Sequence, residues 1–308
     1  MTNDQHPRLA LPFGLLIAIL AVSTASIFIR FAQENAPSLT IAALRITFAS
    51  LMLAPLALSQ HAPELRTLSR QEWVLAAASG LFLAIHFATW ISSLEFTTVA
   101  SSVVFVSTGP LWVALLSPAL LKEHLSRLAL AGLVLALAGG ILIGLADTCS
   151  WNSGLVCPSL VEALQGKALW GNFLALAGAW AVSGYLIIGR KLRAKISLVP
   201  YVFVVYSMAA IALMVIMLVA GQSPLGYPPS TYGWIFLMAL IPQLIGHSTY
   251  NWALRYLPAT FVATANLGEP IGSAILAYFL LGETVTSIKV MGAALILSGI
   301  YLASQQPR

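Results

Sequence analysis

Asn266, Glu269 and Ser273 are spaced three and four residues apart, so any helix that carries them shows all three on one side. The surrounding run, TANLGEPIGSAILAYFLLGE from Thr264 to Glu283, is otherwise almost entirely apolar or small. A carboxyl group at Glu269 has two kinds of chemistry open to it: contact with an ammonium group on a cargo, or uptake and release of a proton. A third, structural use is to be held by Arg45 or by hydroxyls of neighbouring helices. Two more stripes have the same character. His86, Trp90 and Ser93 share one helical face, and Gln243, His247, Tyr250 and Asn251 share another. Polar and aromatic side chains inside apolar helices are the usual lining of a cavity. Trp90, Trp180, Tyr206 and Tyr250 offer ring faces on which an aromatic cargo or a cation can stack. The competing uses are ordinary ones: a hydrogen-bonded packing histidine, and tryptophans that fill the bundle. Trp73, Trp151, Trp170 and Trp234, near the ends of apolar runs, suit an interfacial belt. Arg45 can bind a carboxylate, pair with Glu34 or snorkel outward; the structural uses are preferred.

Enzyme chemistry finds no comparable set. There is no His-Glu-x-x-His, and Ser183-Gly184 lacks the glycine two residues before the serine that a nucleophile elbow needs. Two cysteines, Cys149 and Cys157, make no zinc site, and no phosphate-binding loop is present. The expectation is therefore a non-enzyme with no catalytic residue, no metal and no cofactor. The rival readings are an intramembrane enzyme and a structural membrane protein. The loops are too short to form a docking domain for the latter.

The elements that position these residues follow from composition. Of 308 residues, 59% are hydrophobic and 8% charged, against about a quarter charged in a soluble domain. Only a bilayer accommodates so much apolar surface. Ten runs are long enough to cross it as helices, at about 9–32, 38–59, 73–94, 97–121, 127–146, 169–189, 199–220, 233–254, 257–281 and 287–304. Membrane strands would be half as long and would alternate. The net charge of +5 reports orientation, with no basic and aromatic patch for nucleic acid. With the N-terminus inside, eleven of the fifteen Lys and Arg fall on inner loops and termini, and only Lys167 and Lys289 on outer ones. Both termini are then cytoplasmic, in the cell (inner) membrane. Cys149 and Cys157 share an outer loop, where a disulfide between them is favoured over free thiols.

A shift of 160 residues lays the chain on itself. Pro110 falls on Pro270, Glu123 on Glu283, Gly132 on Gly292, Gly139 on Gly299 and Arg30 on Arg190; Ala21-Val22-Ser23 falls on Ala181-Val182-Ser183. The first span thus has a partner in the sixth and is a retained helix rather than a cleaved signal. Each copy holds five spans, an odd number, so the second enters the membrane from the opposite side. This inverted-topology repeat is a common plan of secondary transporters, with the site where the halves meet. The expected organisation is an N-terminal five-helix repeat (1–148), an outer loop with the cysteines (149–168) and a C-terminal five-helix repeat (169–308), acting as one all-α transporter domain. Pro110 and Pro270 each remove an N–H and free a carbonyl, on Val106 and Asn266, marking hinges or static kinks. Glu123 and Glu283 close their spans and are expected to cap the helix that follows. Gly140 and Gly144 form a GxxxG close-packing pattern.

The chain resembles the drug/metabolite transporter superfamily, in its EamA-type family, through TGPLWVALLSPALLKE (Thr108 to Glu123), GEPIGSAILAYFLLGE (Gly268 to Glu283), AALRITFA (Ala42 to Ala49) and NWALRYLPA (Asn251 to Ala259). The resemblance runs from about Leu9 to Ala303. It implies a carrier of small organic solutes, often an exporter of amino acids or related metabolites, here with aromatic amino acids included. Cationic drugs and sugar-type metabolites are the alternative cargoes. Members often carry Trp-Gly-Ser in the first span; this chain departs with Val22-Ser23-Thr24, and Ser23 is placed with the cavity. The partners expected are a small-molecule substrate and the lipid bilayer, and a monomer suffices for function.

Overall fold

The computed structural model describes residues 10–121, 127–149 and 166–304. Among them every regular element is helical: α1 (Ala10–Ser23), α2 (Ala25–Gln33), α3 (Ser38–Gln60), α4 (Ala62–Thr67), α5 (Arg70–Ser93), α6 (Val99–Val106), α7 (Gly109–Leu121), α8 (Arg127–Thr148), α9 (Lys167–Arg193), α10 (Leu198–Val219), α11 (Pro229–Met238), the π-helix π1 (Ala239–His247), α12 (Ser248–Ala253), α13 (Ala259–Ala265), α14 (Gly268–Leu281) and α15 (Ser287–Ser304). In hydrocarbon only a helix satisfies its own backbone within one segment. The ends are marked locally. Ser69 and Glu72 form a reciprocal capping box at α5, Thr98 accepts from the Ser101 N–H at α6, and Gly282, at φ 67°, ends α14 in the left-handed region.

Seven stretches are long and apolar enough to cross a membrane: Ala10–Gln33, Ser38–Gln60, Arg70–Ser93, Val99–Leu116, Leu130–Asp147, Lys167–Arg193 and Leu198–Val219. The protein is thus an all-α integral membrane protein. The other three expected spans are built from shorter pieces: α11–π1–α12 at 233–254, α13–α14 at 257–281, and the single shorter helix α15 at 287–304. Large apolar side chains such as Phe13, Leu20, Leu51, Ile141 and Phe279 point outward, as they do where lipid replaces water.

Several breaks have identifiable causes. α6 gives way to α7 at Ser107–Thr108 and α13 to α14 at Asn266–Leu267, each just before its proline. The Asn266 carbonyl, which Pro270 cannot serve, accepts the Glu269 N–H at 2.9 Å. α1 ends at Ser23, where the Ser23 and Thr24 hydroxyls donate to the carbonyls of Ile19 and Ala21, at 2.8 and 2.7 Å; such back-bonding bends helices. Pro242 lies inside π1.

The helices pack through small residues. α5 and α9 run antiparallel: a Cβ on Gly171 would meet Phe96, Ser93 and Thr97, one on Gly178 would meet Thr89 and Trp90, and one on Gly184 would meet Phe82. α8 and α15 approach backbone to backbone. A Cβ on Gly139 would meet the Gly292 carbonyl at 2.4 Å, and one on Gly299 the Gly132 carbonyl at 2.4 Å. All four glycines belong to the set related by the 160-residue shift. The GxxxG expectation is corrected: Gly140 faces Phe105 at 3.3 Å, and a Cβ on Gly144 would meet open space. Cys149 is disulfide-bonded; Cys157 and Glu123 lie outside the described residues.

Candidate functional site

Glu269 opens α14, next to the turn that Pro270 enforces, and is 7% exposed. Its Oε2 accepts from Asn266 Nδ2 at 2.6 Å. It borders a cavity of about 60 Å³ that is also lined by Val22 of α1, Pro110 of α7, Tyr185 of α9, Tyr250 of α12 and Asn266. His247, at the end of π1, completes the wall. That space takes a few waters, far less than the several hundred Å³ of a typical ligand pocket.

Behind His247 the polar set continues. The His247 ring stands edge-on to Phe87, with centroids 5.4 Å apart, and 6.4 Å from His86. His86 stacks on Trp90 at 5.7 Å, and its Nδ1–H donates to the Gly178 carbonyl at 2.9 Å. Arg45 is fully buried in α3. Its guanidinium lies 4.2 Å from the Phe87 ring centre, and Nη2 donates to Gln243 Oε1 at 3.0 Å. Neither the Glu34 pair nor the outward snorkel expected for Arg45 occurs; no ion pair involves it among the described residues. Asn251 donates to the His247 carbonyl at 2.8 Å and to the Tyr185 hydroxyl. Tyr206 shares a hydrogen bond of 3.3 Å with Ser248.

The stripes therefore come together as one layer, buried except for the half-buried His247 and Asn266: His86, Trp90, Gln243, His247, Tyr250, Asn251, Asn266, Glu269 and Tyr206, with Arg45 and Tyr185 added. Buried polar groups in proteins are nearly always paired, yet seven atoms here have no hydrogen-bond partner among the described residues: Arg45 Nε and Nη1, Trp90 Nε1, Gln243 Nε2, Tyr250 Oη, Asn251 Oδ1 and Asn266 Oδ1. Two expected residues fall elsewhere. Trp180 is 57% exposed on the outer face, edge to face with Trp112 at 5.2 Å, because the opposite face of α9 carries the close-packing glycines 171 and 178. Ser23 is buried against Gly272, and its carbonyl accepts from Ser273 Oγ at 3.1 Å; its neighbour Val22 lines the cavity instead. Tyr185 was not among the expected residues. It sits two positions beyond Ser183, and its signal was a phenol inside a long apolar helix.

Polar contacts tie helices together at both ends of this layer. At the end where α5 finishes and α9 begins, Lys289 Nζ pairs with Asp147 Oδ1 at 2.6 Å. Asp147 also accepts from Asn172 at 2.8 Å and Ser101 at 3.2 Å. Arg30 donates to the Thr97 carbonyl at 2.9 Å and reaches Glu283 at 3.4 Å. Glu283 caps α6, accepting the Val99 N–H at 2.9 Å; it was expected to cap the helix that follows it. At the opposite end Arg190 donates to the carbonyls of Leu254, at 2.6 Å, and Arg255, at 3.1 Å. Arg193 donates to the Asn251 carbonyl at 3.0 Å, and Glu64 accepts the Ser197 N–H at 2.7 Å. Among the described residues no group of His, Cys, Asp and Glu is placed to hold a metal ion.

Known proteins resemble this chain along its length. The model of the EamA-like transporter family matches residues 11–145 and 169–305. A protein of Archaeoglobus fulgidus named an uncharacterized transporter is 23% identical over 308 residues, 99% of this chain and 98% of its own. The uncharacterized transporter YwfM of Bacillus subtilis is 23% identical over 296 residues, 96% of this chain and 93% of its own. A crystal structure of a protein, 19% identical and covering 96% of each chain, superposes with a TM-score of 0.66, a likeness of fold.

Proposed function

The chain belongs to the EamA-like transporter family and is a secondary transporter of small organic solutes across a membrane; from that premise we propose that it exports amino acids, aromatic ones included, by alternating access through the chamber at Glu269. The observation that carries the reading is the chamber itself. A buried carboxyl group, expensive in hydrocarbon, borders a cavity whose walls come from both halves of the sequence, with locks beyond it at either end. A carrier must pass through a state in which its site is shut off from both sides, and a cavity with room for a few waters fits such a state.

The inverted repeat is part of the proposal. It is supported by the family match in two stretches of similar length and by helix pairs that exchange under the 160-residue shift. α5 packs on α9, and π1 with α12 packs on α1. Gly132 meets Gly299 as Gly139 meets Gly292. Arg30 holds the carbonyl at Thr97 as Arg190 holds those at Leu254 and Arg255. In this reading Pro110 and Pro270 are hinges, both termini are cytoplasmic in the inner membrane, and one chain makes the whole path. Cationic drugs are the second cargo reading, favoured by Glu269 beside the rings of Tyr185, Tyr250 and His247.

A counterflow screen of amino acids, amines and sugars with purified protein in vesicles tests the reading. Transient uphill accumulation of a labelled amino acid in preloaded vesicles is expected. Accumulation of amines alone moves the cargo to the second reading, and movement of no solute contradicts transport through this chamber.

A further inference from the structure

Four residues around the cavity of about 60 Å³ present side-chain oxygen: Ser107 at the break that ends α6, Tyr250 of α12, and Asn266 and Glu269 at the break between α13 and α14. Three of them carry a buried oxygen with no hydrogen-bond partner among the described residues: Ser107 Oγ, Tyr250 Oη and Asn266 Oδ1. Ser107 is 5% exposed and Tyr250 6%. The fourth, the Glu269 carboxyl group, accepts from Asn266 Nδ2, and the Tyr250 hydroxyl lies within its electrostatic reach. Val106, whose carbonyl Pro110 cannot serve, also lines the space. No lysine or arginine does among the described residues; Arg45 acts on Glu269 from outside this lining.

Charge and size discriminate among the occupants of such a space. Water satisfies the hydroxyls and leaves the carboxylate charge in hydrocarbon. A proton neutralises the carboxylate and leaves the three other oxygens unused. An organic solute is too large for room that holds a few waters. A monovalent metal ion meets both needs: its one charge balances one carboxylate, and its shell takes up neutral oxygens. A divalent ion would leave a net charge in the membrane, where charge is costly. We propose that this cavity is a sodium site, with Glu269, Asn266, Ser107 and Tyr250 as side-chain donors and the Val106 carbonyl as a backbone donor. Broken helices supply donors of this kind, because a break turns backbone carbonyls out of their own hydrogen-bond ladder. Hard cations take oxygen ligands, and a small space with few oxygens suits sodium, since the larger potassium ion asks for a fuller shell. The donors come from both halves of the chain and lie beside both proline breaks. The proposal rests on the transport reading for the ion's role, which is to enter and leave as the chamber turns; its binding is tested apart from transport.

Thermal unfolding of the purified protein in detergent tests the site, with sodium chloride replacing potassium chloride at constant ionic strength. In the wild type, sodium should raise the unfolding temperature along a saturating curve, as a ligand of the folded state does. Glu269→Gln should raise the half-saturating sodium concentration at least tenfold, and Ser107→Ala and Tyr250→Phe at least threefold each. Ser26→Ala removes another buried hydroxyl that lacks a partner, one that does not line the cavity, and should leave the concentration within twofold. Equal unfolding temperatures in the two salts overturn the proposal. So does a sodium curve that Ser107→Ala and Tyr250→Phe leave unmoved, which puts the ion elsewhere. If Glu269→Gln does not fold, these two variants decide. Counterflow in vesicles keeps the two readings apart. Amino acid exchange without a sodium effect on unfolding removes the ion site and spares transport; a sodium effect without exchange of any solute removes transport and spares the ion site.

Discussion

Glu269 offers one oxygen to Asn266 and its remaining acceptor capacity to the chamber. Glu269→Gln keeps the size of the side chain and an oxygen that accepts from Asn266, and removes the charge. The expected outcome in vesicles is a wild-type flux that varies with pH, and in Glu269→Gln a fall of at least tenfold with loss of that variation, with Glu269→Asp keeping part of both. Unchanged flux and pH profile in Glu269→Gln would remove Glu269 from the mechanism. The polar residues gathered near Glu269 were legible where they share a helical face inside an apolar run, whereas Val22, Tyr185 and Ala263 on the cavity wall carried no such spacing. Trp180 obeys the same rule and still points outward. Spacing gives the face a residue shares; which face turns inward is decided by where neighbouring backbones can approach, and on α9 that is the face of Gly171 and Gly178. Arg45 was misjudged for a related reason. Its length made an outward reach plausible, and nothing local revealed that Phe87 and Gln243, far away in sequence, would hold it inside.

At the scale of elements, the pairing of α8 with α15 depends on two glycine contacts. Gly139→Ala puts a methyl group 2.4 Å from the Gly292 carbonyl, a clash that backbone must absorb, so destabilisation of about 1–3 kcal/mol is expected. A lowered unfolding temperature in detergent reads this out. Gly144→Ala, whose methyl group meets open space, is the control and should leave the temperature unchanged. The lock at Asp147 makes a second prediction. Asp147→Ala strands the Lys289 ammonium, 9% exposed, at a cost of about 3 kcal/mol, and adding Lys289→Met should restore part of the loss. Equal unfolding temperatures for the single and double variants would contradict the pairing. Helix positions and the two proline breaks were readable from apolar run length and from Pro110 and Pro270. The π-helix was not: Pro242 signalled a disturbance in its span, but the wider turns of Ala239–His247 leave no mark of their own in residue types. Nor was the destination of Glu283, which caps α6 from far along the chain, since spacing identifies the helix a carboxylate ends and leaves open the helix it meets.

For the whole molecule, we propose one chamber that opens to either side in turn, with the bundle pivoting about the breaks at 107–108 and 266–267. The duplication was legible because proline and glycine matches are rare enough to stand out against leucine and alanine. The state of the bundle was not, because the same sequence must build every conformation of its cycle. Ala263 lines the cavity and is 5% exposed, so a cysteine there reports access to the chamber. The most direct measurement is modification of Ala263→Cys, in a protein whose Cys149 and Cys157 are serine, by a membrane-impermeant thiol reagent in right-side-out and in inside-out vesicles. The account predicts labelling in both preparations, with the rates changing in opposite directions when cargo is supplied on one side only. Labelling from a single side under every condition, or from neither, would contradict it.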